Sequence, residues 1–243
     1  MTIVDDFLKK FYVHPSWYVD LKKCLALIDM TYLDYLEENQ QYLPANAQLL
    51  NAFARPKTEV QYILLGESPY PRAESANGFA FWDAKVGPIW SDKGMSKAVN
   101  RATSLRNFIK MLLRAEDLLM TGFTTDEIAV IPKTNLCQTL DQLFVKMLGQ
   151  GFLLLNASLV WSSDKPVSWH AKNWYPFMHT LLMQLLHENP NIKLLLFGKV
   201  AEKFQYLPSQ QCVIAEHPYV LSFIENQDVL CFFKPLHLLK NNE

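Results

Sequence analysis

Four short segments of this chain hold residue types that could do chemistry. Gly66-Glu67-Ser68-Pro69-Tyr70-Pro71 packs a glycine and two prolines into six residues, which dictates a rigid, sharply turned loop. It carries a carboxylate at Glu67 and a hydroxyl at Ser68. Asn77-Gly78-Phe79-Ala80-Phe81-Trp82 sets three large aromatics among small residues. Such a group either packs a core or offers a stacking face to a base. Asn156 interrupts the apolar run Leu153-Leu154-Leu155-Asn156-Ala157. A buried amide must satisfy several hydrogen bonds, from backbone or from a ligand edge with matched donor and acceptor. His217 lies in Glu216-His217-Pro218-Tyr219-Val220-Leu221-Ser222. The following proline fixes its place, and the ring is either a catalytic acid or electrophile, or a structural group.

A fifth segment adds charge. Asp92 to Lys110 holds five basic residues (Lys93, Lys97, Arg101, Arg106 and Lys110) and one acid. It is either a solvated helix face or a phosphate contact, with Ser104 and backbone N–H groups at a helix start contributing. The other five histidines show no metal-ligand spacing, and no Gly-x-Gly-x-x-Gly is present, so a metal site and a dinucleotide fold have no support.

The elements that must position these residues follow from periodicity. Residues 1–52 read as mainly helical, with Trp17, Leu21, Cys24, Leu25 and Ile28 at helical spacing. From Glu59 onward, short apolar runs end in turn residues: Val60 to Leu65, Phe152 to Trp161, Ile192 to Phe197, Gln211 to Ala215 and Val229 to Phe233. Each suits a strand covered on both faces. Between them, Leu105, Phe108, Ile109, Leu112 and Leu113 predict a helix capped by Thr103 or Ser104. Phe177 to Leu186 predicts a second helix, stopped at Asn189-Pro190, and Lys199 to Tyr206 a third. Alternating strands and helices predict an open parallel sheet with helices on both faces, whose site lies beyond the carboxyl ends of the strands.

Composition bounds the rest. Half of the 243 residues are apolar and 19% are charged, enough apolar content for a sizeable core and against disorder. The length suits one α/β domain over residues 1–243, with 1–52 as its helical N-terminal part. No apolar run reaches a membrane span, and the acidic start lacks a signal-peptide core. The four cysteines have no Cys-x-x-Cys spacing and read as reduced thiols of a cytoplasmic protein. The net charge of −1 excludes a basic coat but not a basic stripe.

In this order, the motifs resemble those of the family 1 uracil-DNA glycosylases, and the resemblance spans most of the chain. Leu43 to Phe53 is similar to the family segment ending in Asn-Ala-Phe. Gly66 to Pro71 aligns with its GQDPYH water-activating loop, Asn77 to Phe81 with HGLAF, and Thr103 to Asn107 with PPSLRN. Gly151 to Ala157 is similar to GVLLLNA, Leu194 to Gly198 to LLWG, and His217 to Ser222 to HPSPLS. The resemblance implies a three-layer α/β/α fold with a central four-stranded parallel sheet. It implies a monofunctional glycosylase of base excision repair that flips uracil out of single- or double-stranded DNA and hydrolyses its glycosidic bond. Phe81 would stack on the base, Asn156 would read its edge, and Tyr70 would exclude thymine. His217 would be the electrophile, Leu221 the wedge, and Ser104 and Ser222 phosphate contacts. No metal or cofactor is implied. A monomer is expected, with a protein inhibitor or repair proteins as candidate partners and no membrane.

The departures from the family pattern are specific. The GQDPYH aspartate is Ser68 here and its histidine is Pro71; Tyr219 replaces the serine of HPSPLS. Serine can hold a water but carries no charge, and losing one charge that stabilises a transition state costs ~10²–10³ in rate. Related branches carry glutamate in the slot of Glu67, which makes Glu67 a candidate for the missing carboxylate. Three alternatives stay open: a catalytically inactive DNA-damage-binding or complex-forming homologue, a glycosylase for another modified base, and a small-molecule α/β enzyme using Glu67 and His217.

Overall fold

The computed structural model describes residues 3–39, 41–120 and 122–241. Helices α1 (Ile3–Leu8), α2 (Tyr18–Leu25) and α3 (Met30–Glu38) precede strand β1 (Tyr62–Gly66). A hairpin of β2 (Trp90–Ser91) and β3 (Gly94–Met95) leads into α4 (Lys97–Arg101), α5 (Thr103–Ala115), α6 (Thr125–Val130) and α7 (Leu140–Gly149). There follow β4 (Phe152–Asn156), α8 (Val167–Glu188), β5 (Lys193–Phe197), α9 (Lys199–Phe204), β6 (Cys212–Ala215) and α10 (Gln227–Phe233). Four strands form the expected parallel sheet, in the order β4-β1-β5-β6. The chain divides into two compact units, Met1–Asp83 with Gly151–Leu194, and Ala84–Gln150 with Leu195–Glu243.

In the first unit, β1 and β4 pair in parallel from Tyr62 opposite Phe152 to Gly66 opposite Asn156. Every residue of β4, and all of β1 after Tyr62, is buried, as continuous apolar strands of a covered sheet must be. Helix α2 packs on α8 and buries Leu21, Cys24 and Leu25 of the expected stripe, whose ends Trp17 and Ile28 lie outside the helix. At its rim, the Lys57 ammonium reaches Asp20 at 2.6 Å and Glu188 at 2.9 Å. Helix α8 ends at the expected Asn189 but begins ten residues before the apolar stripe and contains Pro176. Its early turns are held by a buried polar network rather than by periodic apolar residues.

In the second unit, the stripe Leu105, Phe108, Ile109, Leu112 and Leu113 of α5 is buried as predicted. Its cap is Ala102 rather than Thr103 or Ser104, because Ala102 also ends α4, its N–H bonded to the Val99 carbonyl. The run Val229 to Phe233, expected as a strand, is helix α10. The Asn226 side chain accepts the Val229 N–H at 3.2 Å and starts a helix there. Phe233 then meets Phe108 edge-on at 5.5 Å between ring centroids. A five-residue apolar run cannot tell strand from helix, and the cap decides it.

Candidate active site

The first unit assembles the loop, the aromatic segment and the amide. Gly66 ends β1 directly opposite Asn156 at the end of β4, and a Cβ on Gly66 would collide with the Asn156 side-chain oxygen. Only glycine lets the amide lie across this strand end. Asn156 is 4% exposed, yet its side chain makes no hydrogen bond among the described residues. Beyond the strands, the Ala157 N–H donates to the Gly66 carbonyl at 2.8 Å and the Ser158 N–H to the Glu67 carbonyl at 3.0 Å. These bonds splice the 66–71 loop to the end of β4. Within the loop Glu67 is exposed and Ser68 half-buried.

The aromatic segment runs beside β4, where the Ala80 N–H donates to the Leu154 carbonyl at 3.2 Å. Phe81 sits at φ 64°, a left-handed conformation that a bulky residue adopts only when its surroundings force it. The Tyr70 hydroxyl donates to the Phe81 carbonyl at 3.2 Å. Burial, reinforced by Asp83, pushes the Tyr70 phenol up, so it stays a neutral donor. Tyr70, Phe81 and Asn156 are therefore brought together, while Phe79 and Trp82 pack on each other at 5.2 Å.

The second unit assembles the histidine loop. His217 is exposed, and its Nδ1 accepts the Tyr219 N–H at 3.1 Å. A neutral ring then carries its proton on Nε2, as a donor. Leu221 opens a 3-10 turn (Leu221–Glu225) and is 64% exposed. The Ser222 hydroxyl bonds to Glu216; burial works to raise the Glu216 carboxyl, but the bonds from Ser222 and Asn226 hold it below its usual range. Ser104 lies half-buried in the first turn of α5.

Two residues that hold this loop lie inside motifs of the resemblance, Thr103 to Asn107 and Leu194 to Gly198, which gives them no role there. Asn107 is fully buried on α5 and donates from Nδ2 to the Pro218 carbonyl at 2.7 Å and the Tyr219 carbonyl at 3.3 Å. Gly198, after β5, has φ 63°, and a Cβ there would lie 2.6 Å from the His217 Cβ. The signal for Asn107 was an amide within the apolar stripe of α5, the same signal that singled out Asn156.

In the first unit an amide with no hydrogen-bond partner among the described residues lies at the end of β4, and in the second a positioned imidazole follows β6; such strand ends are where α/β proteins place their sites. No family model matches the chain. The wild-type UNG of Nitratifractor salsuginis superposes with a TM-score of 0.90 at 36% identity, covering 98% of this chain and 97% of that one. Mimivirus uracil-DNA glycosylase shares the fold with a TM-score of 0.60 at 17% identity, over 87% of this chain and 71% of its own. By sequence, the uracil-DNA glycosylase of Acinetobacter baylyi is 26% identical over 226 residues, 89% of this chain and 83% of that protein. That of Azobacteroides pseudotrichonymphae is 25% identical over 202 residues, 82% and 77% of the two chains. The chain belongs to the uracil-DNA glycosylase family.

Proposed function

We propose that this protein flips uracil out of DNA and hydrolyses its N-glycosidic bond. The observation that carries the reading is Asn156: a buried amide with no hydrogen-bond partner among the described residues, held at a strand end in a family of uracil-DNA glycosylases. Such an amide is a recognition element, because a base that fails to match it leaves buried polar groups unpaired. Uracil and cytosine differ in donor and acceptor at the edge it reads.

The remaining roles follow from the resemblance of the motifs. Phe81 stacks on the extruded base, and Tyr70, tied to the Phe81 carbonyl, stands where a thymine methyl would go. His217 donates from Nε2 to the oxygen that becomes anionic as the base leaves. Ser68 holds the attacking water, with Glu67 as the nearest carboxylate in sequence. Leu221 fills the gap left in the duplex, and Ser104 and Ser222 contact phosphates. No metal or cofactor enters this chemistry. We place the protein in the cytoplasm as a monomer. All four cysteines are free, and among the described residues no helix is long and apolar enough to cross a membrane. Mimivirus UNG variants have been crystallised in complex with UGI, and an inhibitor of that kind is a candidate partner here.

The test is single-turnover base release from a uracil-containing oligonucleotide with protein in excess, beside Ser68→Asp. The natural protein is expected to release uracil, and Ser68→Asp to do so ~10²-fold faster as it restores a charge facing the cationic sugar. Retained binding with no release by the natural protein would make it a damage-binding homologue instead.

A further inference from the structure

The basic stretch from Asp92 to Lys110 is divided by the fold into cations that hold structure and cations that do not. The Lys110 ammonium donates to the Phe123 carbonyl at 2.6 Å, and burial lowers its pKa. The Arg106 guanidinium donates to the Asn100 carbonyl at 2.8 Å. Lys93, Lys97 and Arg101 are exposed and form no ion pair or hydrogen bond among the described residues. They sit on a rigid base. The Ser96 N–H bonds to the Ile89 carbonyl at 2.8 Å, the Asn100 amide bonds to the Met95 carbonyl at 3.0 Å, and the Trp90 indole bonds to the Cys137 carbonyl at 2.8 Å. Hairpin β2–β3 and helix α4 are thereby fixed to each other, and α4 joins α5 at Ala102, next to Ser104.

The placement of Lys97 and Arg101 opposes folding. Lys97 is the first residue of α4, at the positive end of the helix dipole. Arg101 follows it by four residues, on the same helix face, where like charges repel. Lys93 occupies the hairpin tip beside Asp92, the one acid of the stretch. Residues that break local rules without a compensating contact mark functional surface, and a polyanion would relieve the repulsion at Lys97 and Arg101.

We infer that the tip of hairpin β2–β3 and the exposed face of α4 form a platform for the DNA phosphodiester backbone, with Lys93, Lys97 and Arg101 as its phosphate contacts. The inference rests on the proposed action on DNA and adds a contact beyond Ser104 and the 217–222 loop. In a chain of net charge −1, a local cationic surface of this kind supplies the attraction that overall charge does not.

The experiment measures binding of a uracil-containing duplex against salt concentration. It compares the natural protein, Lys93→Gln/Lys97→Gln/Arg101→Gln, and a control, Lys23→Gln/Lys172→Gln, altered at exposed lysines of α2 and α8. Removing one phosphate-binding cation reduces the slope of log K against log salt by roughly 0.9, so the triple variant should have a slope smaller by about 2 to 3 and the control almost the natural slope. An unchanged slope in the triple variant, or an equal reduction per charge in the control, overturns the platform. A natural protein that binds DNA with the expected slope difference but releases no uracil leaves the platform standing and overturns the glycosylase reading alone. A cooperative thermal unfolding transition of the triple variant near the natural midpoint confirms that it folds.

Discussion

His217 is held from three sides, each by a residue with no chemistry of its own. The Tyr219 N–H engages Nδ1 at 3.1 Å, Asn107 pins the carbonyls on either side of that N–H, and Gly198 leaves room for the His217 Cβ. Orientation of a donor matters to catalysis because stabilisation requires it to face the developing charge. Gly198→Ala offends twice: its φ of 63° disfavours any side chain, and the new Cβ would lie 2.6 Å from that of His217. The variant should lose about 1 to 3 kcal/mol of stability. If His217 makes the proposed transition-state contact, kcat should fall at least ~10-fold while uracil-DNA binding changes little, since misplacing such a contact lowers kcat and kcat/KM together. Steady-state kinetics beside urea unfolding separates the two effects, and a variant with full kcat would show that Gly198 does not position His217.

At the scale of elements, α3 and α8 are joined through side chains that periodicity does not reveal. The Tyr32 hydroxyl meets His170 Nδ1 at 2.8 Å and the Ser162 hydroxyl meets Nε2 at 2.8 Å. Tyr35 then links Ser162, at 3.0 Å, to Asp164, at 2.9 Å. His170 is fully buried, and burial pushes its pKa from 6.5 down to about 4, against the pull of Asp164. The unfolded chain therefore binds a proton that the folded chain refuses. Stability is full above pH 6.5 and falls as pH drops toward about 4, by about 3 kcal/mol in all. Urea unfolding at pH 7 and pH 5 should show a loss of about 2 kcal/mol that His170→Gln largely abolishes; an equal loss in the variant would assign the pH dependence elsewhere. This network explains what was and was not legible in the sequence. The strands ending in Gly66 and Asn156, and the stripe on α5, declare themselves because burial dictates apolar type at fixed spacing. Helix α8 before Phe177, the cap at Ala102 and the helix at Val229 depend on single hydrogen bonds, which leave no periodic trace. The same holds for the site: Asn156 and His217 stand out by type, whereas Asn107 and Gly198 act through neighbours that only the tertiary structure supplies.

For the molecule as a whole, the arrangement has a thermodynamic consequence that needs no DNA. A ligand that binds the folded chain and not the unfolded one stabilises it by RT ln(1 + [L]/Kd). On the proposed roles, free uracil offers Asn156 and Phe81 the same edge and face as the base within DNA, and it is expected to be such a ligand. At ten times its Kd it should contribute about 1.4 kcal/mol, which for a chain of this size raises Tm by roughly 3–5 °C. Cytosine exchanges donor and acceptor at the edge that Asn156 is proposed to read, would leave buried polar groups unpaired, and should give no shift. Asn156→Ala should lose the response to uracil while keeping its fold, because the wild-type side chain makes no hydrogen bond among the described residues whose loss would weaken the native state. Thermal melts of both proteins with uracil and cytosine read all four combinations. Equal shifts for the two bases would remove base reading from Asn156, and a uracil shift that survives in Asn156→Ala would place recognition on Tyr70, Phe81 and backbone groups.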